Sequence, residues 1–114
     1  MARPDLLAVG EAFEDLIFHG LARLPRPGEE LKTSAFTRSV GGGAVITAIA
    51  AVRLGLRTAV MSGLAPPATA LLKREGVSFR NLRQEREPAA LSVALSTPKN
   101  RSFVTFTGMN EALE

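Results

Sequence analysis

The fold is decided by one stretch of the sequence, Val40-Gly-Gly-Gly-Ala-Val-Ile-Thr-Ala-Ile-Ala-Ala-Val-Arg-Leu-Gly55. Three consecutive glycines open it, and only Thr47 and Arg53 are polar in residues 44–54. This pattern predicts a helix over 44–54 that neighbouring elements cover on most sides, with a glycine at the position where helices end. A buried helix of this kind, bracketed by short apolar runs, is typical of an α/β protein.

Extended segments precede this helix. Residues 5–10 form an apolar run that predicts a buried strand, and residues 15–19 predict a second strand. The proline-rich segment 23–28 predicts an exposed loop, because proline removes backbone donors and restricts the residue before it. Residues 31–40 predict one or two irregular strands. The excursion over 15–40 is therefore expected to be an insertion off one edge of a sheet.

The chain after the helix returns to the same alternation. Residues 57–62 predict a strand, and residues 67–75 predict a shorter helix with proline in its first turn. Three extended segments follow at 77–83, 89–97 and 102–107, and the last two predict a hairpin. Strands alternating with helices predict an α/β sheet with a parallel core.

Length and composition limit the possible classes of protein. The 114 residues are 46% hydrophobic and 22% charged, which predicts a single globular domain over 1–114 rather than a disordered chain. The sequence has no cysteine and one histidine, His19, so we expect neither a disulfide nor a metal site. No apolar run approaches the ~18 residues of a membrane span. The start of the chain lacks a signal-peptide pattern, and we expect a cytoplasmic protein.

The charge pattern argues against nucleic-acid binding. The net charge is +3, from 14 basic and 11 acidic residues that are interspersed along the chain. The sequence contains no tyrosine or tryptophan that could stack on bases. We therefore expect no nucleic-acid partner and no membrane partner.

Two segments are candidates for a binding site. Gly41, Gly42 and Gly43 open the buried helix, where a helix N-terminus offers free backbone N–H groups and glycine permits close approach of a ligand. The same glycines would also serve a tight turn that packs the helix against a strand. Asp15 closes the acidic segment 11–15 that follows the first strand, where ligands gather in α/β sheets. Solvated charge or capping is the alternative for that segment.

The last hairpin contributes further candidates. Arg101, near the predicted turn, would either bind an anion or be solvated. Phe103 and Phe106 lie three apart in a strand and so point to opposite faces, which predicts that at least one of them belongs to the core.

Taken together, these segments resemble the N-terminal portion of the PfkB (ribokinase-like) carbohydrate kinases. The matching segments share their order and spacing with that family; they are Val9-Gly-Glu-Ala-Phe-Glu-Asp15, Val40-Gly-Gly-Gly-Ala-Val-Ile-Thr-Ala48, Lys73-Arg-Glu-Gly-Val77 and Arg101-Ser-Phe-Val-Thr-Phe-Thr-Gly-Met-Asn110. The resemblance implies an α/β fold with a partial central sheet flanked by helices and a small β-sheet lid, with lid segments at about 16–40 and 89–107.

The resemblance also implies roles for individual residues. Asp15 stands where the family's aspartate binds sugar hydroxyls, and Gly41 and Gly42 match the pair that lines the sugar and hinges the lid, with Gly43 beside them. The remaining lid or pocket candidates are Phe13, Arg101 and Phe103. Ile46 stands where the family commonly has a sugar-binding asparagine, so the substrate of relatives does not transfer to this chain.

The same comparison bears on activity. The family's later Gly-Ala-Gly-Asp motif, with its catalytic aspartate, is not in the 114 residues, nor is the nucleotide site. We therefore expect this chain to be the sugar-binding and lid part of a kinase that, when complete, uses ATP and Mg²⁺ to phosphorylate a hydroxymethyl group of a sugar or nucleoside. The alternative is a non-catalytic remnant that binds a ligand or dimerises. A homo-oligomer formed through the lid or exposed sheet edges is expected in either case.

Overall fold

Seven strands, two α-helices and one 3₁₀ helix make up the part of the chain that the structure describes. The computed structural model describes residues 3–113; Met1, Ala2 and Glu114 of the expected 1–114 domain lie outside the described residues. In chain order the elements are β1 (Leu6–Val9), β2 (Phe13–Phe18), β3 (Phe36–Gly41), α1 (Gly43–Arg53), β4 (Thr58–Ser62), α2 (Pro66–Glu75), β5 (Ser78–Asn81), β6 (Leu91–Ser96), β7 (Arg101–Phe106) and a 3₁₀ helix (Gly108–Leu113).

The first sheet has three parallel strands in the order β1-β4-β5. Its core lies between the sheet and helices α1 and α2, where Val45, Val60 and Leu72 are fully buried. Burial of such branched side chains typically contributes about 1.5–3 kcal/mol each relative to exposure. The α/β arrangement with a parallel core is therefore confirmed.

Helix α1 is covered on one side only. Its buried residues are Ala44, Val45, Ala48 and Ala51, which form one stripe along the helix. Ile46 is 61% exposed, and Leu54, just past the helix, is 82% exposed. The expectation that most sides are covered is wrong, because α1 packs mainly on β1, β4 and α2 and its opposite side meets no other element among the described residues.

The second sheet has four strands in the order β3-β2-β6-β7. Strands β2 and β6 pair in parallel, and the two outer pairs are antiparallel. The predicted hairpin is present as β6 and β7, whereas residues 31–35 form no strand. The segment after β1, which contains β2 and β3, thus belongs to a separate sheet rather than to an insertion at the edge of the first sheet.

The two faces of the second sheet differ in character. Alternation and register place Asp15, Ser39, Gly41, Ser92 and Thr105 on one face, here called the Asp15 face. The opposite, outer face is largely apolar and carries Leu16, Phe18, Phe36, Val93, Leu95, Val104 and Phe106.

The two phenylalanines of β7 correct a prediction. Phe103 is 61% exposed on the Asp15 face, and Phe106 is 52% exposed on the outer face. Neither belongs to the core, because β7 is an edge strand and no element of residues 3–113 covers either of its faces.

The chain passes between the two sheets at residues 10–12, at 41–42, at 82–90 and after β7. The 3₁₀ helix starts at the last crossing, and the sequence did not predict it. A hydrogen bond of 2.9 Å from the Met109 N–H to the Pro88 carbonyl holds it there.

The first sheet has an open edge and an uncovered face. Among the described strands β1 pairs only with β4, and Val9 is 66% exposed on the uncovered face. No helix in residues 3–113 has the length and apolar character needed to cross a membrane.

Candidate functional site

Asp15 lies in the middle of β2. It pairs with Ser39 of β3 on one side and with Ser92 of β6 on the other. The second strand thus starts two residues earlier than predicted, because β2 begins at Phe13 and only Glu11 and Ala12 of the acidic segment 11–15 precede it. The pairing fixes the Asp15 backbone through two neighbouring strands, so its carboxylate has a defined position.

Gly41 gives the Asp15 carboxylate its space. A Cβ atom built on Gly41 would lie 2.5 Å from Oδ2 of Asp15. Any side chain at position 41 would thus displace the carboxylate, which lies across the end of β3. The structure therefore brings Asp15 and Gly41 into contact.

Gly42 lets the start of α1 approach the first crossing between the sheets. Its φ is +99°, and an added Cβ would lie 2.8 Å from Cα of Ala12 and closer still to the carbonyl oxygen of Glu11. Both neighbours are backbone atoms that cannot rotate away, so this position requires glycine on two grounds.

Gly43, the first residue of α1, faces open space. An added Cβ would meet nothing within 4 Å. The N-terminus of α1 has no side-chain cap, and Gly43 shares an exposed side of the helix with Ile46, three residues on. This end of the helix therefore exposes backbone N–H donors next to the apolar side chain of Ile46.

The Asp15 carboxylate is partly buried and differs in its surroundings from Asp5. Burial raises the pKa of Asp15 above its usual value. Among residues 3–113 the carboxylate has no hydrogen-bond or ion-pair partner, in contrast to Asp5, whose pKa the hydrogen bond from Arg57 lowers. A partly buried carboxylate with free lone pairs accepts hydrogen bonds from hydroxyl groups.

A row of hydroxyls continues from Asp15 across the sheet. Ser39, Asp15, Ser92 and Thr105 are register partners on four successive strands. Ser92 is buried, and its hydroxyl lies 3.4 Å from that of Thr105. Sequence analysis missed these three hydroxyl residues, because only the pairing of β2 with β6 places them beside Asp15.

The remaining candidates, Phe13, Arg101 and Phe103, lie at different distances from Asp15. Phe13 is the register partner of Gly41 and lies on the Asp15 face. Strand β7 lies two strands away from β2. On β7, Phe103 is two residues from Thr105, which is the member of the Asp15 row on that strand, and Arg101 is four residues, or about 13 Å, from it. The Arg101 guanidinium donates to the Ser96 hydroxyl at 2.9 Å and borders an open groove of about 680 Å³ with Arg23 and Lys99. Arg101 and Phe103 are therefore not brought to Asp15.

The described residues offer no cluster of ligands for a metal ion. Mg²⁺ is held by several oxygen ligands, usually including carboxylates. Among residues 3–113, no three histidine, aspartate or glutamate side chains come together in a way that could hold a metal ion.

Solved structures of ribokinase-type kinases share this fold. Ribokinase from Giardia lamblia matches with a TM-score of 0.80 at 16% identity, covering 90% of this chain and 36% of that protein. Arabidopsis thaliana ribokinase, complexed with ribose and ATP, matches with a TM-score of 0.68 at 21% identity, covering 92% and 36%. A nucleoside kinase from Methanocaldococcus jannaschii matches with a TM-score of 0.74 at 18% identity, covering 90% and 36%. No family model and no curated protein matches the chain.

These matches confirm the ribokinase-like fold expected from the sequence and, at the level of the fold, the resemblance to ribokinase-like carbohydrate kinases. The chain spans 36% of the length of each of the three proteins. The fold shown is thus that of about a third of such a kinase.

Proposed function

We propose that this chain is the sugar-binding and lid part of an ATP-dependent carbohydrate kinase. The observation that carries the proposal is the Asp15 carboxylate, which lies on Gly41 without a partner among residues 3–113, beside the start of α1. The solved neighbours, one of them complexed with ribose and ATP, support the substrate class. The complete protein transfers the γ-phosphate to a hydroxymethyl group of a sugar or nucleoside.

In this proposal the second sheet is the lid, and its Asp15 face covers the sugar. Asp15 accepts hydrogen bonds from two sugar hydroxyls, and the N–H groups at the start of α1 donate to a third oxygen. Ser92 and Thr105 extend the polar side of the pocket, while Ile46 provides an apolar side. ATP, Mg²⁺ and the catalytic base belong to the remainder of the protein, which also covers the face of the first sheet that carries Val9.

Sugar-dependent consumption of ATP tests this function. The longest product of the gene that contains this chain is assayed with ATP and Mg²⁺ against pentoses, hexoses and nucleosides. We expect one class of these to stimulate ADP formation, with the phosphate found on the substrate. A full-length product that consumes no ATP with any of them contradicts the kinase proposal and favours the non-catalytic binding module.

Acidification is expected to weaken sugar binding at a higher pH than an ordinary aspartate would. Burial raises the pKa of Asp15, so the charged acceptor is lost while the pH is still above the usual range for aspartate. We expect kcat/KM for the sugar to decline as the pH falls through that raised pKa, with KM for ATP unchanged. The acid limb should disappear in Asp15→Asn, and its persistence there would assign the titration to another group.

The lid is also proposed to pair with the lid of a second copy. The outer face carries three large apolar side chains that are about half exposed or more, namely Phe36, Val104 and Phe106. An apolar patch of this kind on a small sheet is typical of a protein–protein contact. Pairing through this face leaves the Asp15 face free for the sugar.

Val104→Lys is expected to convert the dimer to a monomer, because it places a charge in the centre of the apolar contact. Thr105→Lys is the matched control, since it adds the same charge to the next residue of β7 on the other face. Light scattering after size exclusion measures both masses. A wild-type monomer at micromolar concentration, or a dimer that survives Val104→Lys, contradicts pairing through the outer face.

A further inference from the structure

Asn110 joins the last crossing of the chain to the start of β2. It lies in the 3₁₀ helix that follows β7 and is 1% exposed. Its side-chain Nδ2 donates a hydrogen bond of 3.0 Å to the carbonyl of Ala12, the residue directly before β2. One side chain thus connects two crossings that are 98 residues apart in the sequence.

This bond takes the place of a rung in the β2–β6 ladder. The Glu14 N–H donates to the Ala90 carbonyl at 3.1 Å, just before the first residue of β6. In a parallel ladder the Ala12 carbonyl would next receive the N–H of Ala90. The observed donor is the Asn110 side chain, whose amide therefore extends the ladder by one step before the start of β6.

The same short segment is held from its other side by Gly42. The close approach of Gly42 to Glu11 and Ala12 leaves no room for even one added carbon. Residues 11–12 are thus confined between the start of α1 and the Asn110 amide. Because Asp15 follows three residues later in a continuous strand, this confinement sets where its carboxylate lies.

The carbonyl oxygen of the Asn110 amide does not stabilise the fold. Oδ1 of Asn110 is buried and has no hydrogen-bond partner among residues 3–113. A buried carbonyl without a donor is costly, and an apolar side chain of the same size would avoid that cost. The contribution of Asn110 is therefore the position it imposes on Ala12 rather than net stabilisation of the fold.

We propose that Asn110 is a positioning residue for the binding site, which orients Asp15 through the Ala12 carbonyl. The proposal rests on the function proposed above in assigning sugar binding to Asp15. It predicts that loss of the amide misplaces the carboxylate and weakens the sugar complex, while ATP, which is bound elsewhere, is unaffected.

Asn110→Leu in the full-length protein tests this role. We expect KM for the sugar to rise about tenfold, KM for ATP to stay unchanged, and the melting temperature to shift no more than in the control. The control is Met109→Leu, a substitution of the neighbouring buried residue, whose side chain lies near Gly63 and carries no amide that could donate to Ala12. Compared with Asn110→Leu at the same low pH, Asn110→Asp should bind the sugar more tightly, because a protonated buried carboxyl donates to the Ala12 carbonyl.

Amide hydrogen exchange makes the result independent of enzymatic activity. In Asn110→Leu we expect faster exchange at Glu14 and Asp15 with unchanged exchange in β4. Unchanged exchange in β2, or a sugar KM that moves only in step with the ATP KM and the melting temperature, would overturn the positioning role. A wild-type protein without kinase activity contradicts the proposed function alone, and the exchange data still decide for or against Asn110.

Discussion

Replacing Asp15 by alanine in the full-length protein is expected to lower kcat/KM for the sugar by about two to four orders of magnitude, with KM for ATP unchanged. The carboxylate is proposed to accept two hydroxyl hydrogen bonds, and hydrogen bonds to a charged group are worth about 1.5–3 kcal/mol each. Steady-state kinetics with each substrate varied in turn measures the effect. Gly41 keeps its place in the variant, because alanine fills less space than aspartate.

The fold of this variant should not suffer. The raised pKa of Asp15 means that the folded protein disfavours the charged form, so at neutral pH a neutral residue removes an unfavourable contribution. We therefore expect equal or higher thermal stability together with the loss of activity. Asp5→Ala, which removes an exposed carboxylate that is paired with Arg57 just before β1, is the matched control and should leave the kinetics unaltered. An Asp15→Ala protein with wild-type sugar KM would show that the sugar binds elsewhere.

Replacing Gly42 by alanine is expected to destabilise the protein by about 3 kcal/mol or more, a large fraction of the ~5–15 kcal/mol by which native proteins are typically stable. Two costs add at this position. The φ of +99° is unfavourable for any residue with a Cβ, and that carbon would enter the space of Cα of Ala12 and the Glu11 carbonyl. Relief would require α1 to move away from the first crossing. Urea unfolding followed by circular dichroism measures the change.

Gly43→Ala is the control for that substitution, since it makes the same chemical change one residue later. The φ of Gly43 is not positive and an added Cβ meets no atom within 4 Å. We expect a gain of about 0.5–1 kcal/mol, from the higher helix propensity of alanine. Equal losses at the two positions would show that the glycine run is needed for general flexibility rather than for the contact at position 42.

Much of the local structure could be predicted from residues that start and end elements. The predicted helices over 44–54 and 67–75 agree to within a residue with α1 and α2, since glycines and prolines mark their ends. Apolar runs predict the strands, and Asp15 and the glycines are candidates because they follow a strand or open a helix. These signals are all carried by neighbouring residues.

What could not be predicted depends on contacts between distant segments. The parallel pairing of β2 with β6 has no local signature, so the hydroxyl row that includes Ser92 was not anticipated. The apolar composition of α1 predicted cover on most sides, but composition alone does not say how many neighbours a helix has. The 3₁₀ helix and its Asn110 were missed for the same reason, because their partner lies at the other end of the chain.

The pairing of β2 with β6 also dictates the order in which the second sheet assembles during synthesis. β2 and β3 emerge first, yet β2 ends at Phe18 and its second partner begins only at Leu91. Ribosomes add roughly 5–20 residues per second, so the edge of β2 that pairs with β6 stays unpaired for several seconds. A two-stranded sheet is marginally stable in water, and a free strand edge attracts other chains. The nascent protein is therefore most vulnerable to misassociation between the release of β3 and the arrival of β6.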